Sequence, residues 1–299
     1  MFKVGEWKTS LIVYTVMVLV LIVLAILAPF IVPHDPYATN PGNANLPAFT
    51  DGYLLGTDNL GRCEACRLLV GLNTALFSSL SVVIVVFVVG TFLGVVAGYF
   101  GGVVDRAIIW LVTTFQVFPS FLMAIVIAGF LGPGLVNACI ALMVVYWTTF
   151  TRLARGMVMS LREQPFVIAS RMCGCSKPRI LLRHIMPNVM PQMVVTATSD
   201  VGSVIVSLAG LAFLGLGAQR PTADWGTMLN EAESFIMTSP HLMIYASIAL
   251  IIVVLVFSLF GDAVRDQMDA RGVARGKEAE REIERRRLGI FSKMVDGQQ

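Results

Sequence analysis

An all-α integral membrane fold with six transmembrane helices is predicted by three observations. The 299-residue chain is 56% hydrophobic and only 14% charged, where soluble domains carry about 25% charged residues. The apolar residues gather into six long windows that are nearly free of charge. Basic residues concentrate in alternate connections between those windows. With a mean hydropathy of +0.77, the chain has too few polar side chains to cover a water-facing surface.

Crossing the hydrocarbon core takes about 20 apolar residues in a helix. The windows that meet or approach this are residues 11–32, 75–99, 106–130, 134–151, 189–217 and 242–260. The first is longer than the apolar region of a secretory signal, about 7–15 residues, and lacks an Ala-x-Ala site. It reads as a retained span after a short N-terminus, residues 1–10, that carries Lys3 and Lys8.

Positive loops stay on the cytoplasmic side. Connection 33–74 holds Arg62 and Arg67 against Asp35, Asp51, Asp58 and Glu64. Connection 152–188 holds Arg152, Arg155, Arg162, Arg171, Lys177, Arg179 and Arg183 against Glu163 alone. Connection 218–241 holds Arg220 against Asp224, Glu231 and Glu233, and the tail after Asp262 carries nine basic residues. This bias places both termini, the 152–188 loop and the 263–299 tail in the cytoplasm, with 33–74 and 218–241 outside. The membrane core then runs over 75–262. The tail alternates in sign and reads as an exposed helix with i,i+4 pairs or as a mobile solvated segment.

The densest charge falls in "FVIASRMCGCSKPRILLRHIMPN", residues 166–188. Pro165 suits the first turn of a helix, where its missing N–H costs nothing. Gly174 suits the left-handed position that ends one. Ser176 can cap a second helix with Pro178 in its first turn, and Pro187 is expected to end that helix near the membrane. Two helices this short are unstable alone and need something to pack on. A loop lying on anionic lipid explains the charge, but not the break between two capped helices or an exposed Phe166-Val167-Ile168.

Other residues bear on chemistry. No G-x-x-x-x-G-K-[ST] phosphate loop is present. His34, His184 and His241 have no metal-pair spacing, and no nucleophile–base or paired-carboxylate arrangement stands out. An enzyme reading has little support, and no nucleic-acid partner is expected. Asp200 lies in the middle of the fifth window, where a charge costs about 2.5–3.5 kcal/mol on insertion scales. It is read either as lining a translocation path that favours cations or as bonded to Ser199 or a partner. Gly90, Gly94 and Gly98 have the small-xxx-small spacing of closely packed helices. "FLGLG", with Phe213, Leu214 and Gly215, lets the fifth span end and turn, and is a candidate gate. Cys63 and Cys66 form a C-x-x-C that could make a disulfide or hold a soft metal. Cys173 and Cys175 read as small packing residues.

The basic loop resembles the signature cytoplasmic loop of ATP-binding-cassette importer permeases: Glu-Ala-Ala, Gly three residues on, nine residues, then Ile-x-Leu-Pro. Ala169, Ser170, Gly174, Ile185 and Pro187 fall in or next to those positions. Ile168 stands at the acidic position, so an ion pair to the ATPase is not carried over; His184 and Met186 also depart from the pattern. "LLGTDNLGR", "GYFGGVVDR", "FPSFLMAI", "FLGLG", "PTADWGTML" and "GDAVRDQMD" occur in order and are similar to motifs of the dipeptide/oligopeptide/nickel permease branch, in which other polar residues usually replace Cys63 and Cys66.

The resemblance implies a type I importer permease fold in the bacterial cytoplasmic membrane. The implied partners are a homologous second permease, two cytoplasmic ATPase subunits, an extracytoplasmic solute-binding protein and membrane lipid. No cofactor is expected on this chain; ATP and Mg would sit on the ATPases. Phe166, Val167, Ile168, Ala169, Ser170, Arg171, Gly174, Ser176, Pro178 and Arg179 would form the ATPase-coupling surface. Asp200, Phe213, Leu214 and Gly215 would form the path or gate. The solute would be a di- or oligopeptide or a nickel or metal chelate. "FVIASR", Asp200 and "WGTMLNEAESFIMTSP" look somewhat more like the nickel permeases. An ion-gradient secondary transporter and a non-transporting membrane scaffold are the alternatives.

Overall fold

Helix α1, Val4–Ile31, opens a fold that is built around its second helix. The computed structural model describes the backbone of residues 4–50 and 52–296, and the side chains of residues 9–50 and 52–268. The following helices are α2, Glu64–Phe100; α3, Gly102–Gln116; α4, Ser120–Leu131; and α5, Leu135–Leu161. Then come α6, Pro165–Met172; α7, Lys177–Ile180; α8, Met186–Phe213; α9, Trp225–Glu233; and α10, Pro240–Asp296. Among the described residues there are no strands, only isolated bridges at Thr50–Tyr53 and Thr57–Cys63.

Among the described residues five helices are long and apolar enough to cross a membrane, and α3 with α4 adds a sixth if the bent pair counts as one span. The third window, expected as one helix over 106–130, is broken. Its two halves meet at 86°. Pro119 explains the break: it has no N–H to donate and drives Phe118 away from helical geometry. Neither half alone reaches the length of a span.

The helices overrun the apolar windows. Helix α2 starts at Glu64, so the last part of the 33–74 connection is helical, with Cys63 as N-cap. Helix α5 continues to Leu161 and carries Arg152 and Arg155 on it. Helix α10 continues to Asp296 in backbone. The expected i,i+4 charge pairs of the tail, and Lys3 and Lys8 at the other end, lie outside the described side chains.

Helix α2 packs most extensively on α5, and glycine is the reason. A Cβ on Gly90 would lie 2.5 Å from the Trp147 carbonyl oxygen, and one on Gly98 would lie 2.8 Å from that of Arg155. The small-residue stripe therefore packs within the chain. Polar ties add register: Asn73 Nδ2 donates to the Ala25 carbonyl at 2.8 Å, and the Tyr146 and Ser207 hydroxyls are 2.8 Å apart. The Arg155 guanidinium pairs with Asp105 across α5 and α3. Ile12, Val16, Phe92, Trp110, Phe130, Ile251 and many like them face outward, as lipid-facing residues do.

One proline expectation is corrected. Pro187 does not end a helix. The chain runs from α7 through a wide π turn, Leu181–Ile185, directly into α8. Met186 N–H donates to the Leu181 carbonyl, five residues back. The wide turn makes room for a proline ring that would otherwise clash with a carbonyl one turn earlier.

Candidate functional site

Helix α2 has 37 residues and is about 55 Å long at 1.5 Å per residue. Two sites are attached to its opposite ends. Leu68, near its start, accepts from Trp225 Nε1 at 3.0 Å. Tyr99 and Phe100, at its end, lie under Arg171 and Lys177. The segments around α9 and around α6–α7 are therefore separated by the length of the bundle.

At the far end, α6 and α7 form the expected elbow. Pro165 occupies the first turn of α6, after an extended Gln164. Gly174 has φ +75°, a conformation that costs a side chain about 1–2 kcal/mol. Its N–H donates to the Arg171 carbonyl at 3.0 Å, and Cys175 N–H donates to the Ser170 carbonyl at 3.1 Å. Ser176 stands at the N-cap of α7 with Pro178 in the first turn, but its hydroxyl makes no capping bond; only its carbonyl is used, by the Ile180 N–H at 3.1 Å.

The elbow is held by two buried anchors, Val167 at 0% exposure and Ile180 at 1%. This corrects the expectation of an exposed Phe166-Val167-Ile168. Successive helical residues point about 100° apart, so one of three consecutive apolar side chains turns inward. Phe166 and Ile168 are 44% and 45% exposed. Ala169, Arg171, Pro178 and Arg179 are exposed as well. Ser170 is half-buried, with its hydroxyl donating to the Phe166 carbonyl at 2.8 Å. The Arg171 guanidinium lies 5.6 Å from the Tyr99 ring centroid and Lys177 Nζ 5.9 Å from that of Phe100, contacts worth about 0.5–1 kcal/mol each at exposed sites. The basic residues thus clip the elbow to α2 while Phe166 and Ile168 stay available.

Along the second half of α5 lies an open cavity of about 760 Å³, lined by Gln116, Thr149, Arg152, Gly156, Ser160 and Asn188 among others. The sequence reading missed it. The signal was present: Thr149, Arg152, Gly156 and Ser160 fall three, four and four residues apart, a polar stripe along one face of α5.

Asp200, Phe213, Leu214 and Gly215, the residues assigned to the path, do not line this cavity. Asp200 is half-buried in α8 and has no hydrogen-bond or ion-pair partner among the described residues. Ser199, its expected partner, donates instead to the Val195 carbonyl at 3.2 Å. Phe213 ends α8, Leu214 is 53% exposed, and Gly215 takes φ +81° to turn the chain. Asn230 Nδ2 donates to the Phe213 carbonyl at 2.8 Å, so this turn is tied to α9.

Near the start of α2, the motif residues of segment 33–63 close on the 218–233 segment. Arg62 bonds Asp58 Oδ2 through Nε and Glu231 Oε2 through Nη2, both at 2.6 Å. Arg67 lies 3.5 Å from Glu231 and 3.6 Å from Asp58, and Arg220 Nε donates to Glu231 Oε1 at 2.7 Å. Asp58, Arg62, Arg67 and Glu231 are all buried. Such charges persist in low dielectric only when mutually paired. Asp224 caps α9, accepting from the Thr227 N–H at 3.0 Å. Burial raises its carboxyl above the ordinary range, and the Thr227 and Gly226 donors pull it part of the way back. Cys63 and Cys66 are joined in a disulfide.

Residues 90–272 match the family described as binding-protein-dependent transport system inner membrane component. Residues 12–48 match the N-terminal TM domain of oligopeptide transport permease C. The chain is 36% identical over 268 residues to the nickel transport system permease protein NikC of Escherichia coli, covering 90% of this chain and 96% of that one. It is 37% identical over 270 residues to the dipeptide transport system permease protein DppC of Alkalihalophilus pseudofirmus, covering 90% and 88%. It is 39% identical over 256 residues to the glutathione transport system permease protein GsiD of Escherichia coli, covering 85% and 84%. Among solved structures, the inward-facing MetNI methionine ABC transporter matches with a TM-score of 0.53 at 21% identity, over 67% of this chain and 95% of that one.

Proposed function

Because this chain belongs to the binding-protein-dependent transport system inner membrane component family and is an ABC importer permease of the inner membrane, we propose that its α6–α7 elbow is the surface through which ATPase subunits drive it. The observation that carries this reading is the division of labour within α6. Val167 anchors the helix to the bundle while its neighbours Phe166 and Ile168 stay exposed. An apolar pair on a rigid, basic-rimmed elbow suits insertion into a groove of a motor subunit, with buried area giving affinity and rim charge giving orientation.

Two ATPases would hold ATP and Mg, and their closure would draw together the elbows of this chain and a homologous permease. The continuous run from α7 through the π turn into α8 supports transmission, because a push on the elbow is delivered to a membrane helix without an intervening loop. The cavity beside α5, closed on another side by Asn188 of α8, would be part of the inward-opening path. Segments 33–63 and 218–233 would face outside and receive a solute-binding protein, with both termini in the cytoplasm. The solute would be a di- or oligopeptide or a nickel or metal chelate; relatives named for nickel, dipeptide and glutathione are 36%, 37% and 39% identical, so overall similarity does not rank them.

Reconstitution tests this. Vesicles holding the chain with its partner permease and ATPases should show ATP-dependent uptake and ATPase activity raised by the binding protein. A cross-link from Phe166→Cys to an ATPase subunit is expected. Uptake driven by an ion gradient without ATP, or an elbow that never cross-links to an ATPase, would overturn the proposal.

A further inference from the structure

Three donors meet at the start of α2. One nitrogen of His34 and the sulfurs of Cys63 and Cys66 lie within 4.8 Å of one another. They come from different parts of the chain: His34 follows α1, while the cysteines bracket the first turn of α2. The disulfide requires no third group, yet His34 is held beside it by stacking on Tyr53, with ring centroids 4.7 Å apart. The Nδ1 of that ring is buried without a hydrogen-bond partner. An unsatisfied buried polar atom is costly, and this one belongs to an imidazole that already sets a nitrogen beside two sulfurs.

The chemistry of the set is specific. The C-x-x-C spacing is one that metal sites use. Cys63 and Cys66 are buried, at 3% and 0% exposure. The Cys66 N–H already points at Cys63 Sγ, 3.3 Å away, and the first turn of a helix favours thiolate. Two thiolates and an imidazole select thiophilic cations, Cu(I) or Zn(II), over hard ones.

We propose that His34, Cys63 and Cys66, once the disulfide is reduced, form a site for one thiophilic d10 cation, Cu(I) or Zn(II). A dithiol reductant passes two electrons and two protons to the Cys63–Cys66 bond and leaves as its own disulfide. The cation then displaces the two thiol protons and takes both sulfurs and the imidazole nitrogen. Bound there, it clamps the exit of α1 to the start of α2. This inference goes beyond the importer reading and does not depend on it.

The test uses the full chain in nanodiscs, carrying Cys173→Ser and Cys175→Ser to remove the other closely spaced thiols. Protein reduced with a phosphine and desalted without oxygen is titrated with Zn(II), and separately with Cu(I), against a chromophoric chelator. One equivalent of either metal should bind to the reduced chain and none to the oxidised chain. Cys63→Ser or Cys66→Ser should abolish binding, and His34→Asn should weaken it by at least about tenfold. X-ray absorption on the metal-loaded protein, which needs no further variant, should show two sulfurs and one imidazole nitrogen. No binding by the reduced chain, binding unchanged in His34→Asn, or a shell without sulfur would each overturn the site.

Discussion

Arg62 reaches Glu231 across 169 residues of sequence, with Nη2 donating to Oε2 at 2.6 Å. The pair is the centre of a buried cluster in which Glu231 also answers Arg67 and Arg220. It fastens the segment before α2 to the segment that holds α9.

Glu231→Ala should therefore be among the most damaging changes outside the elbow. It leaves Arg62 and Arg67 buried with Asp58 as the one remaining carboxylate within ion-pair distance among the described residues. Breaking a buried pair on one side costs about 3–5 kcal/mol. Thermal unfolding of the purified chain in detergent should show a large loss of stability. A Tm within a degree or two of the parent would mean that the cluster is solvated and contributes little.

The α2–α5 interface makes a second prediction. Gly94 sits against the Thr151 carbonyl, and an added Cβ would also lie 2.7 Å from the Ala154 Cβ. Gly94→Val should destabilise by about 1–3 kcal/mol through overpacking. Gly129, with nothing within 4 Å of an added Cβ, is the control. Gly129→Ala should be neutral or stabilising by about 0.5–1 kcal/mol. Equal effects at the two sites in the same unfolding assay would dissociate the stripe from helix packing.

Asp224 makes a pH prediction. Its carboxyl is raised above its unfolded value, chiefly by burial. Between the two values the folded state keeps a proton that the unfolded chain has released. Raising pH through that window therefore lowers stability, and the group's favourable contribution is complete only below the unfolded value, about 3.9. Asp224→Asn should keep the α9 cap, since Asn caps as well as Asp, and should remove this part of the pH slope. Asp224→Ala should lose the cap at a cost of about 1 kcal/mol. Melting curves across a pH series distinguish these, and an unaltered slope in Asp224→Asn would place the titration elsewhere.

The spans and the elbow were legible in sequence because each has a local cause. Twenty apolar residues make a span, and Pro165 and Gly174 mark the ends of α6 whatever surrounds them. Val167 was misread because three consecutive apolar residues look alike until the helix face is known. Pro187 was misread because a π turn, invisible to residue preference, absorbs it. Pro119 was the reverse case: it sits in "FPSFLMAI" in plain view, and the broken span follows from it. The Arg62–Glu231 cluster was out of reach, since nothing local tells an arginine at 62 which carboxylate 169 residues on will meet it. The His34 contact with Cys63 and Cys66 escaped for the same reason.

The elbow makes a prediction that separates folding from coupling. Gly174→Glu places a side chain at φ +75° with open space around it, so the change acts on backbone conformation rather than through a clash. Phe166→Asp changes a surface residue, for which stability effects are usually within about 0.5 kcal/mol. Both variants should insert and purify normally. Both should lose uptake, and the binding protein should no longer raise ATPase activity. Normal transport in either variant would remove the coupling role from α6.

Asp200 makes the last prediction. Its carboxylate is half-buried in α8 with no partner among the described residues, and a charge at that depth is costly to keep without a use. A carboxylate that stabilised the fold would be paired, so Asp200→Asn should leave the Tm unchanged or raise it. If the group faces a wet path and attracts cations, the same variant should reduce uptake of a cationic solute more than that of a neutral one of similar size, and the difference should shrink as salt screens the field. Uptake assays in vesicles with one solute of each kind make the comparison. Equal uptake of both solutes by parent and variant would assign Asp200 to helix packing or to the contact with the second permease.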